Sequence, residues 1–474
     1  MKCTDVFDIA IIGSGIGGTL IAALNQKKNI IVFEKDKNVG GCAATFKRFG
    51  NYYNAGATTF VGYEEGHILK SMFDSFGFYP NIKKSDVAIR VLQDDITIDR
   101  TANFEEFLDQ INQAYPNKNN RIFWQTIKEI DAKFWKLKNV YGSKKSLLSL
   151  AKSALFLAKL LWTYKLTLFK SAQHFIKSTL GEIPKSYEDF INAQLLITVQ
   201  SNYKTIPLLS MALGLAYPFH KVYYVNGGMG SLIEHLLEGI NVHTQEEIIA
   251  VYRKKDFYRI VSNKDEYCAY KVVLNSTIYD SSKLFSQKKI QNYYQQFAFH
   301  DQSAFVMYLT LNSQETFLHH YQIILQHDIP NTISNTFFIS LSDKHDNKLS
   351  KNGYSLTLSC HTKASFWNTL TQNEYDKEKN CTQEFILEAF LRHFKTLRHE
   401  NIVHCFSGTS KTFQHYANRL NCGGNTFYFT TLLTLPTAST PFEGLYNVGD
   451  TIFSGQGWPG VALGVEVLHK ELNE

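Results

Sequence analysis

Residues 8–22 read DIAIIGSGIGGTLIA. An apolar run ends at Gly13, and Gly13, Gly15 and Gly18 form G-x-G-x-x-G where a helix should begin. Glycines at these places allow a tight turn and let a pyrophosphate approach the helix N-terminus, while Ala22 keeps the helix close to the sheet. The next apolar segment, NIIVFEK (29–35), ends in Glu34, 21 residues after Gly13. A carboxylate there accepts hydrogen bonds from the adenosine ribose, and its charge would repel a 2′-phosphate. Strand, glycine turn, helix, strand and acid together predict a dinucleotide-binding unit of Rossmann type.

Two further stretches indicate a longer cofactor than NAD. Gly40 and Gly41 follow within KNVGGCAATF (37–46), giving the backbone a second close approach. At the far end, residues 444–468 read GLYNVGDTIFSGQGWPGVALGVEVL. A strand should finish at Gly449–Asp450, and Asp450 can bind a polyol chain. Gly455, Gly457 and Gly460 surround the start of a final helix, with Pro459 near its first position. That N-terminus favours negative charge on a reduced isoalloxazine ring. Two chain ends converging on one cofactor predict FAD.

These residues resemble the phytoene desaturase, carotenoid cis–trans isomerase and retinol saturase group of FAD-dependent oxidoreductases. The resemblance is carried by EKDKNVGGCAATFKRFGNYYNAGATTFVG (34–62), NGGMGSLIEHLLEGI (226–240), EEIIAVYR (246–253), YKVVLNS (270–276), HTKASFWNTL (361–370), TSKTFQHYANRL (409–420) and the C-terminal stretch. GDxxFxGQG is closest to the isomerases. The resemblance implies that Gly13, Ser14, Gly15, Gly18, Glu34, Lys35, Gly41, Gly449 and Asp450 touch FAD. It places Gly457, Trp458, Pro459, Gly460 and Val461 along the flavin, and Ile249 near the adenine. Ala57 and Ser410 stand where relatives often carry Pro, and Trp458 is bulkier than usual. The implied chemistry is desaturation, saturation or reduced-flavin-assisted isomerisation of a polyene, with hydride passing between substrate carbon and flavin in the first two. Trp458 is the candidate for positioning the substrate. No acid–base pair or metal site emerges, and His243, His361, His404 and His415 read as structural or exposed.

The chain has 474 residues, 44% apolar and 19% charged. That excludes disorder and coiled coil as the main state. Seven cysteines without a C-x-x-C pair argue against a disulfide framework or structural zinc, and for a reducing compartment. No secretory leader precedes Val6. No run of 18 apolar residues is visible, so no spanning helix is expected.

The net charge of +6 is uneven: ten lysines and no acid lie between Lys133 and Lys177. Within that block, residues 146–169 read SLLSLAKSALFLAKLLWTYKLTLF. On one helix, Lys145, Lys152, Lys159 and Lys170 form a narrow stripe beside a wide Leu/Trp face. That is the pattern of a helix lying in a membrane surface. A helix packed on its own domain with lysines outward is the alternative. Nucleic acid is not expected, since Arg is absent from the block.

The expected fold is α/β: a Rossmann-type FAD-binding domain from segments 1–65, 216–290 and 439–474, with an inserted α+β substrate domain. The insert comprises 66–215, largely helical with the basic amphipathic segment 144–170, and 291–438, its sheet. The expected protein is cytoplasmic and peripherally membrane-associated, takes FAD and a lipophilic substrate, and its oligomeric state is open. An amine-oxidase-like flavoenzyme with a polar substrate, or a flavin-bearing membrane-peripheral binding protein, are the competing readings.

Overall fold

Strand Val6–Ile12 pairs in parallel with Ile30–Phe33 on one side and Glu266–Leu274 on the other. The computed structural model describes residues 6–137, 147–424, 436–453 and 455–473. Val242–His243 extends this sheet beyond Ile30–Phe33, and Leu445–Asn447 joins Glu266–Leu274 in parallel. The antiparallel strands Ile248–Arg253 and Tyr258–Ser262 complete seven. All four residues of Ile30–Phe33 are buried, as a parallel sheet covered on both faces requires. Helices Ile16–Leu24 and Gly457–Asn473 share its core through Leu20, Ile21, Val461, Val465 and Leu468. Gly13 adopts φ +100°, and a Cβ at Gly18 would collide with the Gly13 carbonyl. The turn between strand and helix is therefore built for glycine at both positions.

The second sheet also has seven strands, in the order Ile402–Gly408, Ser303–Leu311, Tyr354–Thr362, Thr336–Leu341, His320–Ile324, Val87–Gln93, Ile96–Thr101. Only Val87–Gln93 against His320–Ile324 is parallel. Side chains alternate across it. Phe305, Met307, Leu309, Leu356 and Leu358 meet Ile386, Ala389 and Phe390 of helix Gln372–His393. Ala304, Val306, Phe338, Ser359 and His361 face a cavity shared with the first sheet. A helical layer including Asn120–Trp135, Lys185–Val199 and Leu208–Ala216 closes the other side around Phe123, Trp124, Phe190 and Met211. The architecture is thus a Rossmann-type domain carrying an α+β insert, in keeping with the sequence.

Helix Gln372–His393 opens on polar turns, which a Thr371–Glu374 capping box starts. Two local expectations change. The basic segment is α-helical only over Leu147–Tyr164. It then tightens into a 3-10 turn, Lys165–Phe169, with Lys165 at φ +47°. Lys170 therefore leaves the stripe, and Lys144 and Lys145 lie outside the described residues. Leu147–Phe169 is also long and apolar enough to cross a membrane, with mean hydropathy 1.2 despite its lysines. The expectation that no helix would reach that threshold is corrected.

The same helix packs on a narrow face of Ser149, Phe156, Leu160 and Tyr164, with the Tyr164 hydroxyl donating to the Ile130 carbonyl at 2.9 Å. Its opposite face is bare: Leu147 is 87% exposed, Leu155 73% and Trp162 84%. The helix thus packs on its own domain along one narrow strip and leaves most of its leucines exposed. Among the described cysteines, Cys42, Cys360, Cys381, Cys405 and Cys422 are free, and Cys268 is disulfide-bonded.

Candidate functional site

One cavity of about 1300 Å³ runs between the two sheets, larger than the ~300–1,000 Å³ of ordinary ligand pockets. Its wall includes both Gly13, Gly15, Glu34, Lys35 and Gly41 and Leu150, Ala154, Leu157 and Leu160 of the basic helix. Gly449, Asp450, Gly457, Trp458, Pro459, Gly460, Val461 and Ile249 also line it. Ser14 and Gly18 do not. Ser14 is buried behind the wall, where its hydroxyl donates to Glu34 Oε2 at 2.5 Å and accepts from the Gly40 amide at 3.0 Å. It thereby ties the first glycine turn to the second. Gly18 serves the helix–turn contact described above.

Glu34 also accepts from the Ser14 amide at 3.1 Å and, through Oε1, from the Asp36 amide at 3.0 Å. Burial pushes this carboxyl upward, against those hydrogen bonds. Lys35 donates to Asn418 Oδ1 at 2.6 Å and lies 3.6 Å from Glu247. A register shift between Ile248 and Ala250 lets both Ile248 and Ile249 reach the cavity.

The glycine cradle fits a dinucleotide. A Cβ at Gly15 would sit 2.7 Å from Asn275 Nδ2, and one at Gly41 would lie 3.7 Å from the Gly15 Cα. Helix Ile16–Leu24 starts there with no side chain capping its amides. These free amides, the narrow slot and Glu34 suit a pyrophosphate and a ribose.

Asp450 accepts from Arg419 Nη2 at 3.1 Å. Burial opposes the Arg419 charge, but the Asp450 carboxylate and the neighbouring Cys42 and Cys422 together more than offset it. Arg419 lies within the stretch 409–420 quoted above, but neither it nor Asn275 was singled out from the sequence. Asn275 could have been, because it follows strand Glu266–Leu274 as Gly13 follows Val6–Ile12, where Ile12 and Leu274 are in register. Trp458 is 2% exposed and meets Phe60 edge-on at 5.2 Å, with its indole N–H unpartnered.

An acid–base cluster was missed altogether. His220 bonds Glu64 Oε1 through Nδ1 at 2.5 Å and Asp131 Oδ2 through Nε2 at 2.6 Å. Burial alone would pull this imidazole down, but the two carboxylates push it up to about 9. Asp131, His220 and the adjoining His67 all line the cavity. The three residues of the bridge come from separated segments, so no spacing rule could find them. His361 also lines the cavity rather than being scattered, and burial pulls it down to about 4. His243 pairs with Glu246 at 3.0 Å. His404 stacks on Phe49, and His415 lies in the last turn of helix Ser410–Ala417.

Comparison with known proteins agrees with this geometry. Residues 11–76 match the NAD(P)-binding Rossmann-like domain. Over 98% of its length the chain is 23% identical to the chloroplastic prolycopene isomerase of Daucus carota, covering 80% of that protein. A shorter stretch, 14% of the chain and 11% of the relative, is 36% identical to human all-trans-retinol 13,14-reductase. An oxidoreductase from Methanosarcina mazei shares the fold with a TM-score of 0.65 at 19% identity, over 98% of this chain and 100% of that one. The resemblance read from the motifs therefore extends over the whole chain.

Proposed function

We propose that the protein is an FAD-dependent enzyme that desaturates, saturates or isomerises a lipophilic polyene taken from a membrane surface. One observation carries this reading: a single cavity joins the dinucleotide cradle to the underside of a helix whose outer face is bare leucine and tryptophan. Gly13, Gly15, Glu34, Gly41 and the first-turn amides would hold the adenosine and pyrophosphate. Asp450, clamped by Arg419, would hold the polyol chain, and residues 457–461 would flank the ring. FAD bound in this way supplies a two-electron centre that can accept or donate hydride.

The chain's own part is to exclude water and fix the substrate. Leu157, Leu160, Leu209, Leu213, Val306 and Phe338 give the space beyond the cradle an apolar wall. Trp458, buried in the cavity wall, would give a flat surface against which a conjugated chain can stack. The identity of the relatives supports a polyene over an amine. The apolar wall favours it too, since an ammonium group would lose its hydration there. The exposed helix face with Lys159 suits an anionic lipid surface, with leucines immersed and ammonium groups at the headgroups.

The test is extraction. Protein purified from a polyene-producing host, or reconstituted, should carry one FAD, and organic solvent should release a polyene. Failure to take up FAD, or a protein free of apolar ligand that oxidises amines, would overturn the proposal.

A further inference from the structure

Strand Tyr354–Thr362 is buried at every residue except Ser359 and His361, which are half-buried. Two residues apart, they project from the same face, about 7 Å from one another along the strand. Both line the cavity. Thr357 continues that polar face but is already engaged, its hydroxyl donating to the Asn54 carbonyl at 3.1 Å. Ser359 and His361 are not. Among the described residues, the Ser359 hydroxyl and the His361 ring make no hydrogen bond, ion pair or ring contact.

Their neighbours leave them uncovered. His361 is in register with Ala304, whose methyl is too small to mask an imidazole, and Ser359 lies between Val306 and Phe338. These three neighbours line the cavity as well. Helix Ser410–Ala417 packs on Ala304 and Val306 through Phe413. Its Gln414 reaches the same cavity, with a buried side-chain oxygen that also lacks a partner.

Burial alone pulls the His361 imidazole down to about 4, and no charged group acts on it. The ring is therefore neutral at physiological pH. Whichever nitrogen holds the proton, a neutral imidazole offers one N–H donor and one acceptor, and the serine hydroxyl beside it offers both too. A hydrocarbon filling the cavity would strip water from these groups and return nothing, which is a cost on binding. A ligand carrying a hydroxyl or carbonyl at this place would restore the lost hydrogen bonds. A carboxylate would meet no countercharge.

We infer that Ser359 and His361 form a neutral polar subsite for a hydroxyl or carbonyl oxygen, so that the substrate is an oxygen-bearing polyene rather than a hydrocarbon or a polyene acid. This deepens the polyene reading above and rests on it.

The experiment titrates FAD-loaded wild type, His361→Leu, His361→Gln and Ser359→Ala with four ligands on one carbon skeleton: retinol, retinal, retinoic acid and the hydrocarbon axerophthene. Affinity is read from energy transfer between tryptophan and the bound polyene. It is compared as the ratio of wild type to variant, which cancels each ligand's own partitioning. His361→Leu should weaken retinol and retinal about five- to tenfold, the worth of one neutral hydrogen bond, and leave axerophthene and retinoic acid no weaker. Ser359→Ala should do the same to a smaller degree. His361→Gln, which keeps a neutral donor and acceptor, should lose less than the leucine variant. If His361→Leu fails to load FAD, the two milder variants decide the matter. Retinol affinity unchanged in all variants that load FAD, or equal losses for retinol and axerophthene, would overturn the inference and leave the polyene reading standing. Losses greatest for retinoic acid would overturn it as well, because the subsite would then hold an anion. FAD-loaded wild type that binds none of the four would refute the polyene reading itself, and the inference with it.

Discussion

Replacing Leu155 and Trp162 together by Glu should detach the protein from anionic membranes and leave the cofactor in place. These side chains are 73% and 84% exposed, and neither lines the cavity. Full burial of such a side chain is worth ~1.5–3 kcal/mol, so each loses about 1–2 kcal/mol of membrane immersion. Each new carboxylate adds repulsion of roughly 1 kcal/mol near an anionic surface. The sum, about 4 kcal/mol or more, weakens partitioning roughly a thousandfold. Leu150 and Leu157 are poorer choices, because they also form the cavity wall and would mix two effects. The assay is co-sedimentation with phosphatidylglycerol-containing vesicles, with flavin absorbance followed in parallel. Wild type should pellet and then be released by alkaline carbonate, as a helix lying on the surface would be. A double variant that pellets like wild type would refute the reasoning. So would a wild type that resists carbonate, because Leu147–Phe169 would then be crossing the bilayer.

Glu34→Ala removes the acceptor that holds Ser14 and is proposed to face the ribose; FAD affinity should fall by about 1–3 kcal/mol in a flavin-fluorescence titration, and the melting temperature of the cofactor-free protein should fall as well, because the Ser14 hydroxyl and amide lose their buried acceptor. Gly15→Val should purify colourless, since its side chain fills the slot between Asn275 and the second glycine turn; normal flavin content would contradict the cradle. The His220 bridge makes stability pH-dependent in a defined direction. Its folded value of about 9 lies above the usual 6.5, so its contribution, at most roughly 3 kcal/mol, is complete below pH 6.5 and lost as pH rises through 9. Urea midpoints of wild type and His220→Phe should therefore differ most near pH 6 and converge above pH 9, and a constant gap would show that the bridge titrates elsewhere.

The dinucleotide end was legible because its chemistry is local. A strand, a glycine turn and an acid lie within about thirty residues, and each glycine answers to a steric demand seen in the structure. The stretch from Gly449 to Val461 was legible as glycine-rich, and its residues Gly449, Asp450 and 457–461 line the same cavity. Other parts were hidden by distance in sequence. Glu64, Asp131 and His220 meet only after three helical and loop segments fold together, and Arg419 reaches Asp450 from 31 residues away, a spacing no local pattern reveals. The amphipathic helix was read correctly as apolar and basic, but its end was not. Nothing in LLWTYKLTLF announces the left-handed residue Lys165. The polar start of Gln372–His393 offers no apolar periodicity to read, since its first turns are solvated.

The most direct test of the account is turnover. FAD-loaded protein on polyene-doped vesicles would be incubated anaerobically with its flavin chemically reduced, and in parallel with oxidised flavin and a quinone. Products would be separated by geometry and weighed by mass spectrometry. The account predicts that at least one linear polyene changes: at constant mass for isomerisation, by two hydrogens lost for desaturation, or by two gained for saturation. A flavin-replete, vesicle-bound protein that leaves every polyene untouched under both conditions, yet turns over an amine, would contradict it.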